Sequence, residues 1–226
     1  MAAVFAPDHW SERPSRAGSL ALVGGLPCLD FANTASGRGS EQAQDHLRCY
    51  EHLLAWAGHT ALLEKEQIEA LAAASECRPR TARRTLERAV ALREALFRLF
   101  GAVIAGEPAP DDCLQTLDEI LQQGMGRARI LPAGEHFLWT WTDPARADLD
   151  SILWPIVRSA AELLTGPDLA RIKRCQGIHC GWTFLDRSRN GRRRWCEMEV
   201  CGSRAKMRRY HQRRRAANMD REAVPG

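Results

Sequence analysis

Four cysteines in the last part of the chain have the spacing of a metal site. Cys175, Cys180, Cys196 and Cys201 form the pattern C-x4-C-x15-C-x4-C, in which two close pairs are separated by a short insertion. Each pair fits on one tight turn, so that four thiolates can surround one tetrahedral Zn²⁺ ion. A site closed by four thiolates leaves no position for water. We therefore expect one zinc ion with a structural role rather than a catalytic one.

Other interpretations of these cysteines remain open from the sequence alone. They could form two disulfides or stay as unrelated thiols, although the first ten residues show no secretory signal, which disfavours disulfides. His179 could replace Cys180 as a ligand. Four further cysteines lie in or beside apolar segments at irregular spacings, which is typical of buried free thiols. These are Cys28, Cys49, Cys77 and Cys113.

Basic residues are concentrated around the cysteine pattern. Residues 171–215 contain 15 Lys or Arg and 3 Asp or Glu, whereas the rest of the chain contains 17 and 25. The overall net charge of +4 therefore combines a basic segment of +12 with an acidic body of −8. This asymmetry indicates a module that binds a polyanion. Like charges also repel one another along a helix, and a nucleic acid would relieve that repulsion.

Two basic clusters are candidates for contact with double-stranded DNA. One lies on the loop between the cysteine pairs. The other lies on a helix that we expect to open at Cys201, with Gly202 and Ser203 at its cap. Met207 and Tyr210 are expected to face the finger, and Arg204 is the first candidate for a base contact. The predicted nucleic-acid-binding residues are Arg189, Arg192, Arg193, Arg194, Ser203, Arg204, Lys206, Arg208, Arg209 and Arg213.

Cysteines, aromatic residues and basic residues occur here in one particular order. The stretches are Cys180-Gly-Trp-Thr-Phe-Leu-Asp186, Ser188-Arg-Asn-Gly-Arg-Arg-Arg-Trp-Cys196 and Cys201-Gly-Ser-Arg-Ala-Lys206. In this order they resemble the bacterial CGNR-type zinc fingers. The asparagine of the family's name is replaced by Ser203, which still suits a helix start but would alter any contact that the asparagine makes.

A second motif lies near the start of the chain. Cys28-Leu-Asp-Phe-Ala-Asn-Thr34, together with a hairpin that ends at Trp139-Thr-Trp141, is similar to the ABATE domain, the usual companion of this finger. Together the two resemblances imply a stress-response transcriptional regulator. Considered without the resemblance, Asp30, Asn33 and Thr34 are polar residues in an apolar segment. They either satisfy turn backbone or line a small-ligand pocket together with Trp139 and Trp141.

The elements that must position these residues are mostly helical. Apolar residues recur at helical spacing in five segments, and Pro155 should kink or split the last of them. A hairpin is predicted over 127–131 and 136–142, and one or two short strands over 20–34, around Gly24-Gly25. The helical segments are 41–58, 65–76, 81–105, 111–123 and 145–165.

We therefore predict an α+β fold that is mostly helical. A helical body with a small antiparallel sheet precedes a treble-clef-like or ribbon-like zinc finger with four cysteine ligands, and a basic helix follows the finger. The expected divisions are a flexible tail at 1–17, a sensing or oligomerisation domain at 18–166, the finger domain at 167–220 and a tail at 221–226.

The remaining expectations concern activity, location and partners. Catalytic sequence motifs are not found, and we expect no enzyme. No run of about eighteen apolar residues occurs, so we expect no membrane partner and a cytoplasmic, nucleoid-associated protein. Besides DNA, the candidate partners are RNA (as a ribosome-associated protein), RNA polymerase, a small-molecule effector and a second copy forming a homodimer.

Overall fold

The computed structural model describes residues 15–141 and 147–222, with side chains in the last helix described as far as Arg214. Small two-stranded antiparallel sheets pair β1 with β2, β3 with β4 and β5 with β6. The strands are β1 (Ala35–Ser36), β2 (Gln44–Asp45), β3 (Arg129–Ala133), β4 (His136–Thr140), β5 (Ile172–Arg174) and β6 (Thr183–Leu185). The α-helices are α1 (Pro27–Ala32), α2 (Tyr50–His59), α3 (Lys65–Cys77), α4 (Pro79–Ala105), α5 (Asp111–Met125), α6 (Trp154–Thr165) and α7 (Ser203–Glu222).

The core of the body forms around α1 and α4. Helix α4 has Pro79 in its first turn, where the missing N–H costs no hydrogen bond, and it stops at Gly106, which has a left-handed φ of 70°. Helix α1 packs against α4 and α6. Its Phe31 is fully buried and meets Trp56 edge to face, with ring centroids 5.1 Å apart. Helix α1 is buried on nearly every side, and its one charged residue, Asp30, is itself buried.

Two sequence expectations for the N-terminal region are wrong. The predicted strands over 20–34 are replaced by α1, because Pro27 in the first turn presets the helical φ of a segment whose apolar run has no helical period. The predicted helix over 41–58 begins only at Tyr50, after extended backbone at Cys49. The residues before it form β2, and the carboxylate of Asp45 accepts the N–H of Leu47, which turns the chain there.

The other predicted elements are confirmed. Helices α3, α4 and α5 and the β3–β4 hairpin lie where apolar periodicity and turn residues indicate. Residues 145 and 146 of the last predicted helix lie outside the described residues, and near Pro155 the described part divides into a 3₁₀ turn, Leu149–Leu153, and helix α6. Of the predicted tail 1–17, only residues from Ser15 onward are among those described, and there Ala17 is buried against the body. The described part of α7 extends to Glu222, into the predicted tail 221–226.

The finger is built on the β5–β6 pair. Its ladder continues past β5, because the N–H of Cys175 donates to the carbonyl of Trp182 over 2.8 Å. A loop, 187–194, then leads to a π-helical turn, Met198–Gly202, and directly into α7. The predicted fold class is confirmed: mostly helical α+β, with small antiparallel sheets and a C-terminal cysteine cluster beside a helix. Within 15–141 and 147–222, every helix is too short or too polar to cross a membrane.

Candidate metal centre and basic surface

The four predicted ligands meet at one point of the finger. Cys175 follows β5, Cys180 lies on the next turn, and Cys196 and Cys201 belong to the segment before α7. All four Sγ atoms lie within 4.8 Å of one another, and Cys196 Sγ is 3.6 Å from the Sγ atoms of both Cys180 and Cys201. Tetrahedral zinc with bonds of about 2.3 Å places its sulfurs about 3.8 Å apart. The donor set and its size therefore fit one structural zinc ion.

The local backbone geometry allows the four cysteine side chains to come this close together. Gly177 has no side chain, and a Cβ there would lie 3.1 Å from both the Sγ of Cys201 and the Cβ of Cys180. His179, the alternative ligand, is exposed and stands outside the cluster, with a left-handed φ of 62°. The sequence alternative in which His179 replaces Cys180 is therefore wrong, because the turn directs the cysteine inward instead.

The electrostatics of the cluster also call for a cation. Hydrogen bonds from the thiols of Cys180 and Cys196 lower the pKa of Cys175 well below its usual value. The same proximity to Cys175 raises the pKa values of Cys180 and Cys196. One negative charge thus suppresses ionisation of its neighbours. Four thiolates become compatible at this spacing only when a divalent cation neutralises part of their charge.

The basic loop between the cysteine pairs is organised by Asp186. Its buried carboxylate accepts hydrogen bonds from the Nζ of Lys173 over 2.6 Å and from the backbone N–H groups of Ser188 and Arg193. Burial disfavours the charged form, but these hydrogen bonds outweigh it and lower the pKa of Asp186. The hydrogen bonds to Asp186 therefore fix the shape of the loop that presents the predicted Arg189 and Arg192, both of which are exposed.

Arg193 has a structural role that the sequence did not predict. Its guanidinium donates to the carbonyls of Trp195 and Val23, over 3.0 and 3.3 Å, and to that of Cys196. It also lies 4.3 Å from the centre of the Phe184 ring. These contacts give the half-buried side chain a structural role in the finger, and its contact with nucleic acid stays a prediction. The neighbouring Arg194 stays exposed, with its Nε 2.7 Å from Gln176 Oε1.

Helix α7 packs on the finger through a small residue. Ala205 is 1% exposed and Arg208 is half-buried, whereas Met207 and Tyr210 are 53% and 52% exposed. The expectation that Met207 and Tyr210 face the finger is wrong, because Ala205 occupies the buried side of the helix start instead. The other predicted contact residues of this helix are exposed, namely Ser203, Arg204, Lys206, Arg209 and Arg213. An open cleft of about 450 Å³, lined by residues 192–198, lies beside the helix start.

Two family models match the chain, and together they account for most of it. The first covers residues 25–167, more than half of the sequence, and is the ABATE family, described as "putative stress-induced transcription regulator". The chain belongs to the ABATE family. The second covers residues 171–214 and is the CGNR zinc finger, in agreement with the four-cysteine site. Among curated proteins none matches the chain.

The ABATE domain holds the CGNR finger through its first helix. The side-chain nitrogen of Asn33 donates to the carbonyl of Thr183, and its oxygen accepts the N–H of the same residue, both over 2.9 Å. A second contact joins the carbonyl of Gly24 to the N–H of Leu185. Asp30 fixes that loop, since its Oδ1 accepts the N–H of Gly24 over 2.7 Å. The two domains are thus joined by buried hydrogen bonds.

These contacts decide between the two interpretations of the polar residues in this motif. Asp30 and Asn33 bind backbone of the loop and of the finger, and the hydroxyl of Thr34 donates to the carbonyl of Phe31. All three are buried and engaged within the protein, which replaces the ligand-pocket interpretation with a structural one. Trp139 and Trp141 lie side by side with ring centroids 6.3 Å apart, and a ligand site at these two residues stays a prediction.

The sequence did not identify Thr183, the residue of the finger that is hydrogen-bonded to Asn33. Thr183 stands between a tryptophan and a phenylalanine and resembles any strand residue. Its partner Asn33 lies 150 positions earlier, so neither spacing nor periodicity connects them. The polar residues inside an apolar segment were the available signal, because a buried amide must find a hydrogen-bond partner somewhere in the fold.

Proposed function

We propose that this chain is a bacterial transcription regulator that binds duplex DNA through its zinc finger and α7. The observation that carries the proposal is the placement of the positive charge. Arg187, Arg189 and Arg192 are exposed on a loop held by Asp186, and further exposed basic residues line α7. The body carries the opposite net charge. Such a one-sided basic surface is the electrostatic footprint of a nucleic-acid-binding domain.

The zinc centre has a structural part in this proposal. When bound, zinc joins the loop that precedes α7 to the turn that follows β5, because its four ligands come from those two segments. A finger with so small a core depends on metal for most of its folding free energy. Cys175, Cys180, Cys196 and Cys201 would hold the ion, and α7 follows the last of them without a break.

For the body we propose sensing or assembly rather than catalysis. Among the described residues, the four clustered cysteines are the His, Cys, Asp or Glu side chains placed to bind one metal ion. Four cysteine ligands would fill a tetrahedral coordination sphere and leave no position for a substrate or water. The apolar side chains of the β3–β4 hairpin support a role in assembly, since Ile130, Phe137 and Trp139 are 61%, 71% and 46% exposed. We include in this proposal that the body binds a small-molecule effector or forms a homodimer. We also propose that the protein is cytoplasmic and associated with the nucleoid.

A salt titration of DNA binding tests the proposal. If six to ten phosphates are contacted, affinity for a labelled duplex should fall on the order of 10³–10⁵-fold between about 50 and 200 mM salt. Replacing Arg189 and Arg192 by Ala should weaken binding and flatten the salt dependence. The matched control replaces Arg80 and Arg83, which are exposed arginines on the body helix α4, and should bind as the wild type does. Salt-independent binding, or equal losses in both double variants, would contradict the proposal.

A further inference from the structure

The exposed side of α7 has a largely uncharged centre between two basic edges. Residues that are three or four positions apart stack along one side of a helix. Along the line farthest from the buried Ala205, this spacing selects a stripe that we call the central stripe. It consists of Ser203, Met207, Tyr210 and Arg214. One edge carries Lys206, Arg209 and Arg213, and the other carries Arg204, Arg208 and His211.

A solvated charged helix does not account for this pattern. Met207 and Tyr210 lie on the line opposite Ala205 and are about half exposed, so their apolar surface faces away from the finger and toward solvent. The guanidinium of Arg214 lies 5.9 Å from the Tyr210 ring, so the stripe ends with a cation stacked on an aromatic face. An apolar line between two rows that carry Lys and Arg side chains matches a ligand whose interior is apolar and whose borders are anionic.

We propose that the central stripe enters the major groove of duplex DNA, where Met207 and Tyr210 contact base edges and the two basic edges contact the phosphates of the two strands. The inference rests on the proposed function and adds the residues that provide sequence specificity. The major groove of B-form DNA is about 12 Å wide and admits a helix. Its floor carries thymine methyl groups that apolar side chains recognise.

The same geometry selects duplex DNA among nucleic acids. Duplex RNA has a deep and narrow major groove that side chains cannot read. A helix with basic residues on both edges therefore cannot bind there as it can in the major groove of DNA. Ala205 is buried at the start of α7, and hydrogen bonds between Asn33 and Thr183 join the finger to the body. The exposed arginines at 187, 189 and 192 would add backbone contacts beside the groove.

The test is selection from a pool of randomised DNA duplexes by the full-length zinc-loaded protein. Replacing Met207 and Tyr210 together by Ala should lower affinity for the wild-type consensus by at least about tenfold, because two base contacts are lost and such losses are roughly additive. Binding to unselected duplexes should stay within about twofold, because phosphate contacts carry nonspecific affinity. Uracil in place of thymine in the consensus should weaken the wild type and leave the double variant nearly unchanged.

Two further variants separate the roles along the helix. Lys206→Ala with Arg213→Ala should weaken binding to all duplexes and reduce the salt slope by about one per residue, with the same consensus selected. Met198→Ala removes an equally apolar side chain, 70% exposed but outside α7, and should leave both affinity and consensus as they are. Zinc content and thermal unfolding serve as folding checks, and both are expected to match the wild type because the replaced residues are exposed.

The outcomes distinguish this inference from the function on which it rests. If the wild type binds duplexes with steep salt dependence but enriches no sequence, DNA binding stands and the groove-reading stripe is overturned. An unchanged consensus in the variant lacking Met207 and Tyr210 overturns it as well. If the wild type binds single-stranded RNA or a protein and no duplex, both the inference and the proposed function are wrong.

Discussion

The side chain of Asn33 is hydrogen-bonded to both the N–H and the carbonyl of Thr183, with each donor–acceptor distance equal to 2.9 Å. A primary amide that accepts and donates to one residue reproduces the bonds of a neighbouring strand, so Asn33 extends the edge of β6. Strand β6 belongs to the segment between Cys180 and Cys196, whereas Asn33 ends the core helix α1. The metal centre is therefore positioned by the innermost part of the ABATE domain.

Replacing Asn33 by Ala should destabilise the protein by about 2–4 kcal/mol. The change leaves the fully buried N–H and carbonyl of Thr183 without partners, and each orphaned group costs about 1–3 kcal/mol. Denaturant unfolding of the zinc-loaded protein measures the loss, and transfer of zinc to a coloured chelator should be faster. Asn190→Ala, on the exposed loop of the finger, is the matched control and should change stability by less than about 0.5 kcal/mol. Equal losses of stability in the two variants would show that the hydrogen bonds between Asn33 and Thr183 do not stabilise the protein.

Two adjacent arginines should give opposite phenotypes. Arg193→Ala removes hydrogen bonds to Val23, Trp195 and Cys196 and should cost about 2 kcal/mol of stability. Arg192→Ala removes an exposed side chain, and it should leave the unfolding free energy unchanged while reducing the salt slope of DNA binding by about one. Thermal unfolding and the salt titration, run on both variants, check the pair. The assignment fails if Arg193→Ala melts like the wild type.

The buried ion pair between Arg93 and Asp45 should be costly to break. Two hydrogen bonds of 2.5 and 2.8 Å join the groups, and the side chain of Arg93 is 1% exposed. Asp45→Ala leaves that guanidinium buried with part of its charge uncompensated, and we expect a loss of about 3–5 kcal/mol. Glu87→Ala removes the partner of Arg83 in an exposed pair and should cost no more than about 0.5 kcal/mol. Denaturant midpoints of the two variants give the comparison, and similar midpoints would refute it.

His46 should make the body sensitive to acid. Burial lowers the pKa of His46 from 6.5 to about 4 in the folded protein. Between these two pH values the ring is therefore protonated in the unfolded chain but neutral in the folded one. Stability from the neutral ring is present above pH 6.5 and is lost as the pH falls toward 4, by up to about 3 kcal/mol. His46→Asn keeps an acceptor for the N–H of Arg16 but does not titrate there. Unfolding free energies of variant and wild type should converge on acidification, and parallel pH curves would contradict the prediction.

Metal content should depend on the clustered cysteines alone. One zinc ion per chain is expected by elemental analysis, and Cys196→Ala should abolish it, because Cys196 lies 3.6 Å from two other sulfurs of the site. Cys77→Ala, which removes an exposed thiol of the body, should retain one zinc ion. Zinc retained by Cys196→Ala would show that the four-thiolate assignment is wrong.

Local patterns were sufficient to predict the metal ligands and most of the helices. The cysteine spacing identifies the site because each pair must lie on one turn, and apolar periodicity locates α3 to α5 because each has one buried face. Helix α1 escaped prediction because it is buried all round and shows no period. The orientation of α7 was predicted wrongly because apolar character was equated with burial, whereas Ala205 makes the contact. The joint between Asn33 and Thr183 depends on tertiary folding across 150 positions.

Asn33 donates a hydrogen bond to the finger, and the carbonyls of Gly24 and Val23 accept hydrogen bonds from it, so the finger is a poor candidate for transfer into another protein. Cut out as residues 171–214, the finger would present unpaired backbone of β6 to solvent, and Arg193 would lose the carbonyl of Val23, one of its three partners. It is therefore not an exchangeable unit that could be strung into arrays on flexible linkers. Engineering a new target preference would have to proceed by changing side chains on α7 while the body that carries it stays in place.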